Sequence, residues 1–420
     1  MRSISSLSPL LLAAGILLAG NGLQGTLITL RGAQEGFSSG LIGLMGTAYF
    51  AGFMISSLVA AKMIQAVGHI RVFSALAASL AATTLLYVLW VDAYVWIALR
   101  FLAGFGFAGL FMVIESWLND ASDNANRAKV LSIYRIVDLS FVTGGQLLLP
   151  IFGIEGFVLF AIISILLSFS LVPISLADRT NPRPPKSVKF SLPAVWAISP
   201  IACLGCIIIG MTNSSFRLVG PLFASNLGMD TANVALFMSM GIIGGAVLQY
   251  PLGWLSDKYD RRWVLIATTF GAAAAGSYLA YFAGTNVNDL LMGAFIFGAF
   301  SLPLYSLSAA HANDRAKDGE YVLLAAGLMF FFSLGATIGP SIAAWVMTEF
   351  GSNAFFTYIS LVHGTFAVAT VWRLFATPSV EKKDRRKFIG LMRTSPILFK
   401  MARAVKPKSA KNKNKPARDS

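Results

Sequence analysis

Twelve blocks of roughly twenty apolar residues, parted by short polar stretches, limit what this chain can become. A helix needs about 20 mostly apolar residues to cross a hydrocarbon core, and in lipid only helices or closed barrels satisfy every backbone group. Barrel strands would alternate apolar and polar residues, which these blocks do not. The blocks predict spans over Ser8–Leu30, Leu41–Ala61, Val72–Val91, Tyr94–Leu118, Val130–Phe152, Phe157–Leu176, Val195–Val219, Asn233–Leu255, Trp263–Ala283, Leu290–Ala310, Tyr321–Met347 and Ala354–Phe375. Charged residues make up 12% of the chain, about half the share usual in soluble domains. The first block is long enough to span and no A-x-A-like cleavage site follows it, so it reads as a span and not as a signal peptide.

The formal charge of +14 would suggest a nucleic-acid partner if it lay on one surface. It lies instead between spans and in a tail, where membrane topology puts it, and no nucleic-acid partner is expected. Lys62 and Arg71; Arg127 and Lys129; Arg179, Arg183, Lys186 and Lys189; Lys258, Arg261 and Arg262; and Arg315 and Lys317 occupy alternate loops. The opposite loops hold Glu35, Asp92, Glu155, Asp230, Asp289 and Glu349, with Arg31 as their basic residue. The positive-inside rule then predicts that both termini are cytoplasmic and the span number even.

Between spans six and seven runs Asp178-Arg179-Thr180-Asn181-Pro182-Arg183-Pro184-Pro185-Lys186, too rich in proline and charge for a helix. It divides the chain into an N-terminal half (1–177), a cytoplasmic linker (178–194), a C-terminal half (195–376) and a basic tail (377–420). The halves repeat one another. Asn119-Asp120 recurs as Asn313-Asp314, Pro150 as Pro340 and Gly36-Phe37 as Gly228-Met229, at offsets of 194, 190 and 192. Pro150 is expected to close span five. The fold class expected is all-α integral membrane, twelve transmembrane helices in two six-helix halves, with a site near the midplane between them.

Gly253-Trp254-Leu255-Ser256-Asp257-Lys258-Tyr259-Asp260-Arg261-Arg262 lies between spans eight and nine. Asp257 at a helix end is placed to meet an Arg, a Lys or a helix N-terminus on a neighbouring helix, a charge latch that can hold one conformation and release another. The segment resembles the signature loop of the major facilitator superfamily, G-x-L-[AS]-D-[RK]-x-G-R-R, with Asp260 in place of a glycine. The first-half loop keeps only Gly68-His69-Ile70-Arg71, with no Asp before it. Arg100-Phe101-Leu102-Ala103-Gly104-Phe105-Gly106-Phe107-Ala108 is similar to the family's R-x-x-x-G-x-G-x-A motif. Glu115-Ser116-Trp117-Leu118-Asn119, with Arg127, and Ala312-Asn313-Asp314-Arg315-Ala316 resemble the YcaD-like group of bacterial transporters. The drug-antiporter motif G-x-x-x-G-P is absent; Gly144-Gly145-Gln146 stands there.

The resemblance implies a secondary transporter of the bacterial inner membrane, not an enzyme, that moves a small organic solute by alternating access and couples it to protons. The alternative is a non-transporting receptor or scaffold on the same fold. Gly253, Asp257, Lys258, Arg261 and Arg262 are expected to form the conformational latch. Arg100, Glu115, Arg135 and Asp138 are proton-coupling candidates, because burial and a neighbouring Arg pull a carboxyl pKa in opposite directions. Each also has a static reading: a pair of Asp138 with Arg135, and of Glu115 with Arg127 or Arg135. Asn21, Gln24, Asn213 and Tyr305 are substrate-cavity candidates, since the family lines its cavity with spans one, four, seven and ten. Lone His363, and Cys203 with Cys206, read as packing residues. With three His, no nucleotide loop and no nucleophile–His–acid set, neither metal nor cofactor is expected. The basic tail from Arg385 to Val405 is expected to meet anionic lipids. The protein is expected to be a monomer.

Overall fold

The computed structural model describes residues 7–121, 127–176, 191–317 and 320–376, together with Val380, Arg385 and Phe388. These residues are helical apart from short connections, and twelve helices are long and apolar enough to cross a membrane. The spans are Ser8–Gln34, Ser39–Val67, His69–Leu89, Ala93–Asp120, Lys129–Phe152, Val158–Ser175, Pro200–Asn226, Thr231–Lys258, Arg261–Tyr281, Val287–Asn313, Leu323–Phe350 and Ala354–Ala376.

Proline decides several boundaries. Ser199, pushed by Pro200 into an extended conformation (φ −157°, ψ 90°), ends the short helix Leu192–Ile198. The Ser199 hydroxyl then accepts from Ala202 N and starts span seven. Span seven therefore begins at Pro200, and Val195, expected to open it, belongs to the separate short helix. Pro173 lies just past the break at Ser170 in span six and Pro303 within the break after Ser301 in span ten, each lacking the N–H that would bond back one turn. Pro150 does not close span five: it lies inside Leu148–Phe152, and Gly153, at φ +69°, ends the helix.

The repeat is visible in the packing. Gly36 and Gly228 both take positive φ, +78° and +84°, in the turns that follow spans one and seven. A Cβ on Gly52 would run into Phe101 O and one on Gly104 into Tyr49 O, binding span two tightly to span four. The same contacts recur 192 and 194 residues later: Gly244 against Phe295 O and Gly298 against Gly241 O. Gly145 against Ala19 O is repeated as Gly339 against Met211 O. Gly145 thus serves span packing, and neighbouring Gln146 donates to Gly22 O at 3.0 Å.

Span two packs along span eleven, span one against span seven, and span five against span eight. Toward the acidic face this seam is closed. Thr47 Oγ1 donates to Thr337 O at 2.6 Å and lies 2.7 Å from Ser341 Oγ, while Thr29 Oγ1 donates to Leu218 O at 2.7 Å. Gly43 and Gly46 lie against Ala344 and Pro340 without room for a side chain.

Gly104→Leu should force spans two and four apart and destabilise the protein by about 1–3 kcal/mol or more. Gly144→Ala, where nothing lies within 4 Å of the new methyl, should be tolerated. Thermal unfolding of the two variants in detergent checks the contrast.

Candidate functional site

At mid-depth a chain of hydrogen bonds crosses the seam. Asn21 and Gln24, three residues apart, share one face of span one and are buried. Arg217 Nη2 on span seven donates to Asn21 Oδ1. Asn21 Nδ2 donates to Tyr49 OH at 2.9 Å. The Arg100 guanidinium lies over the Tyr49 ring, 4.3 Å from its centroid, and Nη1 donates to Gln24 Oε1 at 3.2 Å. Gln24 Nε2 in turn donates to Thr84 Oγ1 on span three at 3.1 Å. Arg100 is only 2% exposed, so it turns into the protein and does not reach for the interface. Asn213 stands one turn before Arg217 on the same face of span seven.

Tyr305 lies apart from that layer. It packs edge-on against Phe332 at 5.7 Å, and its neighbour Ser306 accepts from Gln249 Nε2 at 3.2 Å. Gln249 Oε1 accepts from Arg135 Nη2 at 2.9 Å, a second bond across the seam. Arg135 Nη1 also pairs with Asp138 Oδ2 at 2.9 Å. Spans one and five run in register, Gly15 under Phe141 and Ala19 under Gly145. With Gly22 against Val142, these contacts set Asp138 level with the stretch 12–18 of span one, on the basic side of Asn21. Glu115 is fully buried about 22 Å down span four from Arg100 and accepts from Tyr134 OH at 3.4 Å. The Arg127 side chain is outside the described residues. The four coupling candidates therefore do not form one cluster: Arg100 lies in the central layer, and Glu115, Arg135 and Asp138 lie toward the basic face.

The signature loop forms a compact cluster within the second half. Arg261 is 3% exposed and donates through Nε to Asp314 Oδ2 at 2.6 Å and through Nη2 to Asp257 Oδ1 at 3.1 Å. Its Nη1 donates to Ser256 Oγ at 2.8 Å. Arg262 binds Asp260 at 2.7 Å and reaches Leu374 O on span twelve at 3.3 Å. Burial would raise the Asp260 carboxyl, but hydrogen bonds and charge from Arg262 hold it below the usual carboxylate range. Lys258 lies over the Trp254 ring at 5.2 Å. Asp257 also accepts from Phe388 N, at 2.8 Å to Oδ1 and 3.0 Å to Oδ2, and the Phe388 ring covers Gly253. Arg385 Nη1 donates to Tyr259 O at 2.6 Å. Apart from Val380, Arg385 and Phe388, the tail expected on anionic lipid is outside the described residues.

In the first half His69 stands where Arg261 does, and Asp120 where Asp314 does, at the same offsets of 192 and 194. His69 Nε2 lies 3.0 Å from Ser116 Oγ, and its ring sits beside Trp117. His363 lies 3.3 Å from Ser301 Oγ against Phe297, and Cys203 and Cys206 are buried free thiols.

Sequence reasoning left out Tyr49, Gln249 and Thr84 and gave Arg217 no role. The 192-residue repeat carried part of the missing signal: it pairs Asn21 with Asn213, one turn from Arg217.

The family profile of the Major Facilitator Superfamily matches residues 10–244 and 202–409. An uncharacterized MFS-type transporter YcaD of Escherichia coli is 27% identical over 357 residues, covering 84% of this chain and 92% of that protein. An uncharacterized MFS-type transporter of Yersinia pestis is 27% identical over 363 residues, with the same coverage. Among solved structures, the nucleoside transporter NupG superposes with a TM-score of 0.71 at 12% identity, covering 88% of this chain and 98% of that one. A bacterial homolog of the human lysosomal transporter Spinster gives 0.72 at 15%, covering 92% and 99%. The D-xylose–proton symporter gives 0.68 at 14%, covering 91% and 99%.

Arg261→Gln should take a charged partner from Asp314, which is 3% exposed, and from Asp257, lowering stability by up to roughly 3–5 kcal/mol. Arg261→Gln combined with Asp314→Asn should recover much of that loss, as read from thermal unfolding midpoints in detergent.

Proposed function

The chain belongs to the major facilitator superfamily, and from that premise we propose that it moves a small organic solute across a bacterial inner membrane by alternating access, coupled to protons. The observation that carries this reading is the Arg217–Asn21–Tyr49–Arg100 chain, which joins the two halves at mid-depth. Solute held there would touch both halves, and rocking of one half against the other would expose it first to one side and then to the other. Asn21, Gln24 and Asn213 are the contacts proposed for it; Tyr305, in the deeper layer, would meet solute only on the path toward the basic face.

Small-residue packing and three hydroxyl contacts close the seam toward the acidic face, and such contacts separate without stranding a buried charge. The Arg261 cluster, confined to the second half, would act as a latch by keeping spans eight, nine and ten moving as one body. Asp138 is the proton carrier we favour. It is partly exposed, its partner Arg135 also binds the opposite half through Gln249, and separation of that seam would change its electrostatic surroundings.

Both termini are proposed to be cytoplasmic, with a monomeric protein whose basic tail faces anionic lipid. Reporter fusions after Arg71 and Lys129 should then report cytoplasm, and one after Asp289 the outside; a cytoplasmic signal at Asp289 would overturn this topology.

Asp138→Asn separates the two roles of that carboxylate. As a proton carrier it should leave a folded protein that exchanges solute but no longer accumulates it against a proton gradient. As one partner of a static pair it should destabilise the fold by about 1–3 kcal/mol, between the exposed and buried limits. In that case Asp138→Asn with Arg135→Gln should restore uphill uptake in proteoliposomes, which would remove Asp138 from the coupling scheme.

A further inference from the structure

Two arginines meet at the centre of this protein without a carboxylate. Arg100, on span four, is 2% exposed, and Arg217, on span seven, keeps some accessible surface and points to span one. Their partners are neutral: Gln24 Oε1 and the Tyr49 ring for Arg100, Asn21 Oδ1 for Arg217. Among the described residues the ion pairs are Arg31–Glu35, Arg135–Asp138, Arg261 with Asp257 and Asp314, and Arg262–Asp260. Neither central arginine takes part. The two guanidiniums are linked through Asn21 and Tyr49, and both retain N–H donors beyond those bonds. Two like charges at mid-membrane depth, where a charge is costly, are an arrangement a negative ligand would stabilise.

The internal repeat sharpens the point. The glycine–carbonyl contacts of one half recur in the other, but the central charges do not. Arg100 corresponds to Ala294 and Arg217 to Gly25 at the same offsets. Packing needs neither arginine twice, and each half supplies one cation to a single site at the seam. Asn21 and Asn213, which the repeat does pair, flank that site and offer amides to the rest of a ligand.

We propose that the solute is an organic anion, its carboxylate, sulfonate or phosphonate group held between Arg100 and Arg217. Planar guanidinium forks suit the two-oxygen edge of such groups. The proposal rests on the transport reading for the meaning of the site, but it specifies the ligand's charge independently of translocation.

The test is thermal unfolding of the purified full chain in detergent with matched compounds. Benzoate, succinate, citrate and phenylphosphonate would each be compared with the uncharged amide or methyl ester, and with benzylamine and putrescine as cations. One or more anions should raise the unfolding midpoint while the uncharged twins and cations do not, as expected for a ligand that binds only the folded state. Arg217→Gln, a partly exposed position, should weaken that anion by about tenfold or more, and Arg217→Lys by less. The proposal is overturned if uncharged or cationic members stabilise as well as anions do, if Arg217→Gln binds the anion as tightly as the parent, or if no anion shifts the midpoint. Proteoliposome uptake separates the two readings. Binding of an anion that never crosses would sink transport and leave the site; uptake of uncharged or cationic solute alone would sink the site and leave transport.

Discussion

Where span two meets span four, a glycine faces a carbonyl on each side, and the central layer depends on that contact. Gly104 has no room for a side chain against Tyr49 O, and one turn earlier on the same helix Arg100 spreads over the Tyr49 ring. Lipid offers no hydrophobic drive to press helices together, so close backbone approach supplies the van der Waals contact that holds them. It also fixes the distance at which a guanidinium can stack on a phenol ring. A side chain at position 104 would move the helix and, with it, the charge that the rest of the layer is arranged around.

Duplication explains the frame, and departure from duplication explains the site. Three glycine–carbonyl contacts recur between halves because both copies solve the same packing problem. At the centre the copies diverge: Arg100 and Arg217 have Ala294 and Gly25 as counterparts. At the basic face they diverge again. Arg261 bridges two carboxylates in the second half, while His69, in the same place in the first, lies beside Ser116. Among the described residues, the second half carries an ionic cluster at its rim where the first has the His69–Ser116 contact.

The tail adds a contact that composition would not suggest. Phe388 N caps Asp257 and its ring covers Gly253, so a glycine of the signature loop makes room for a ring from beyond span twelve. Asp257 thereby serves Arg261 and the tail at once.

The sequence by itself determined the number of spans, their order and their division into halves, because hydrocarbon thickness and backbone satisfaction leave a long apolar block one option. It singled out Arg100 and Asp257 as candidates, since a charge at mid-span and an acid in a basic loop are each costly or conspicuous without a partner. One local break was overlooked: span seven, expected to open at Val195, starts at Pro200, because the residue before a proline is driven out of the helical region. Only the tertiary structure decided depth and partnership. Tyr305 and Asn213, equally plausible on paper, fall in different layers. Arg217 finds Asn21 across 196 residues, a pairing fixed by how two six-helix bodies meet and by no spacing within one of them.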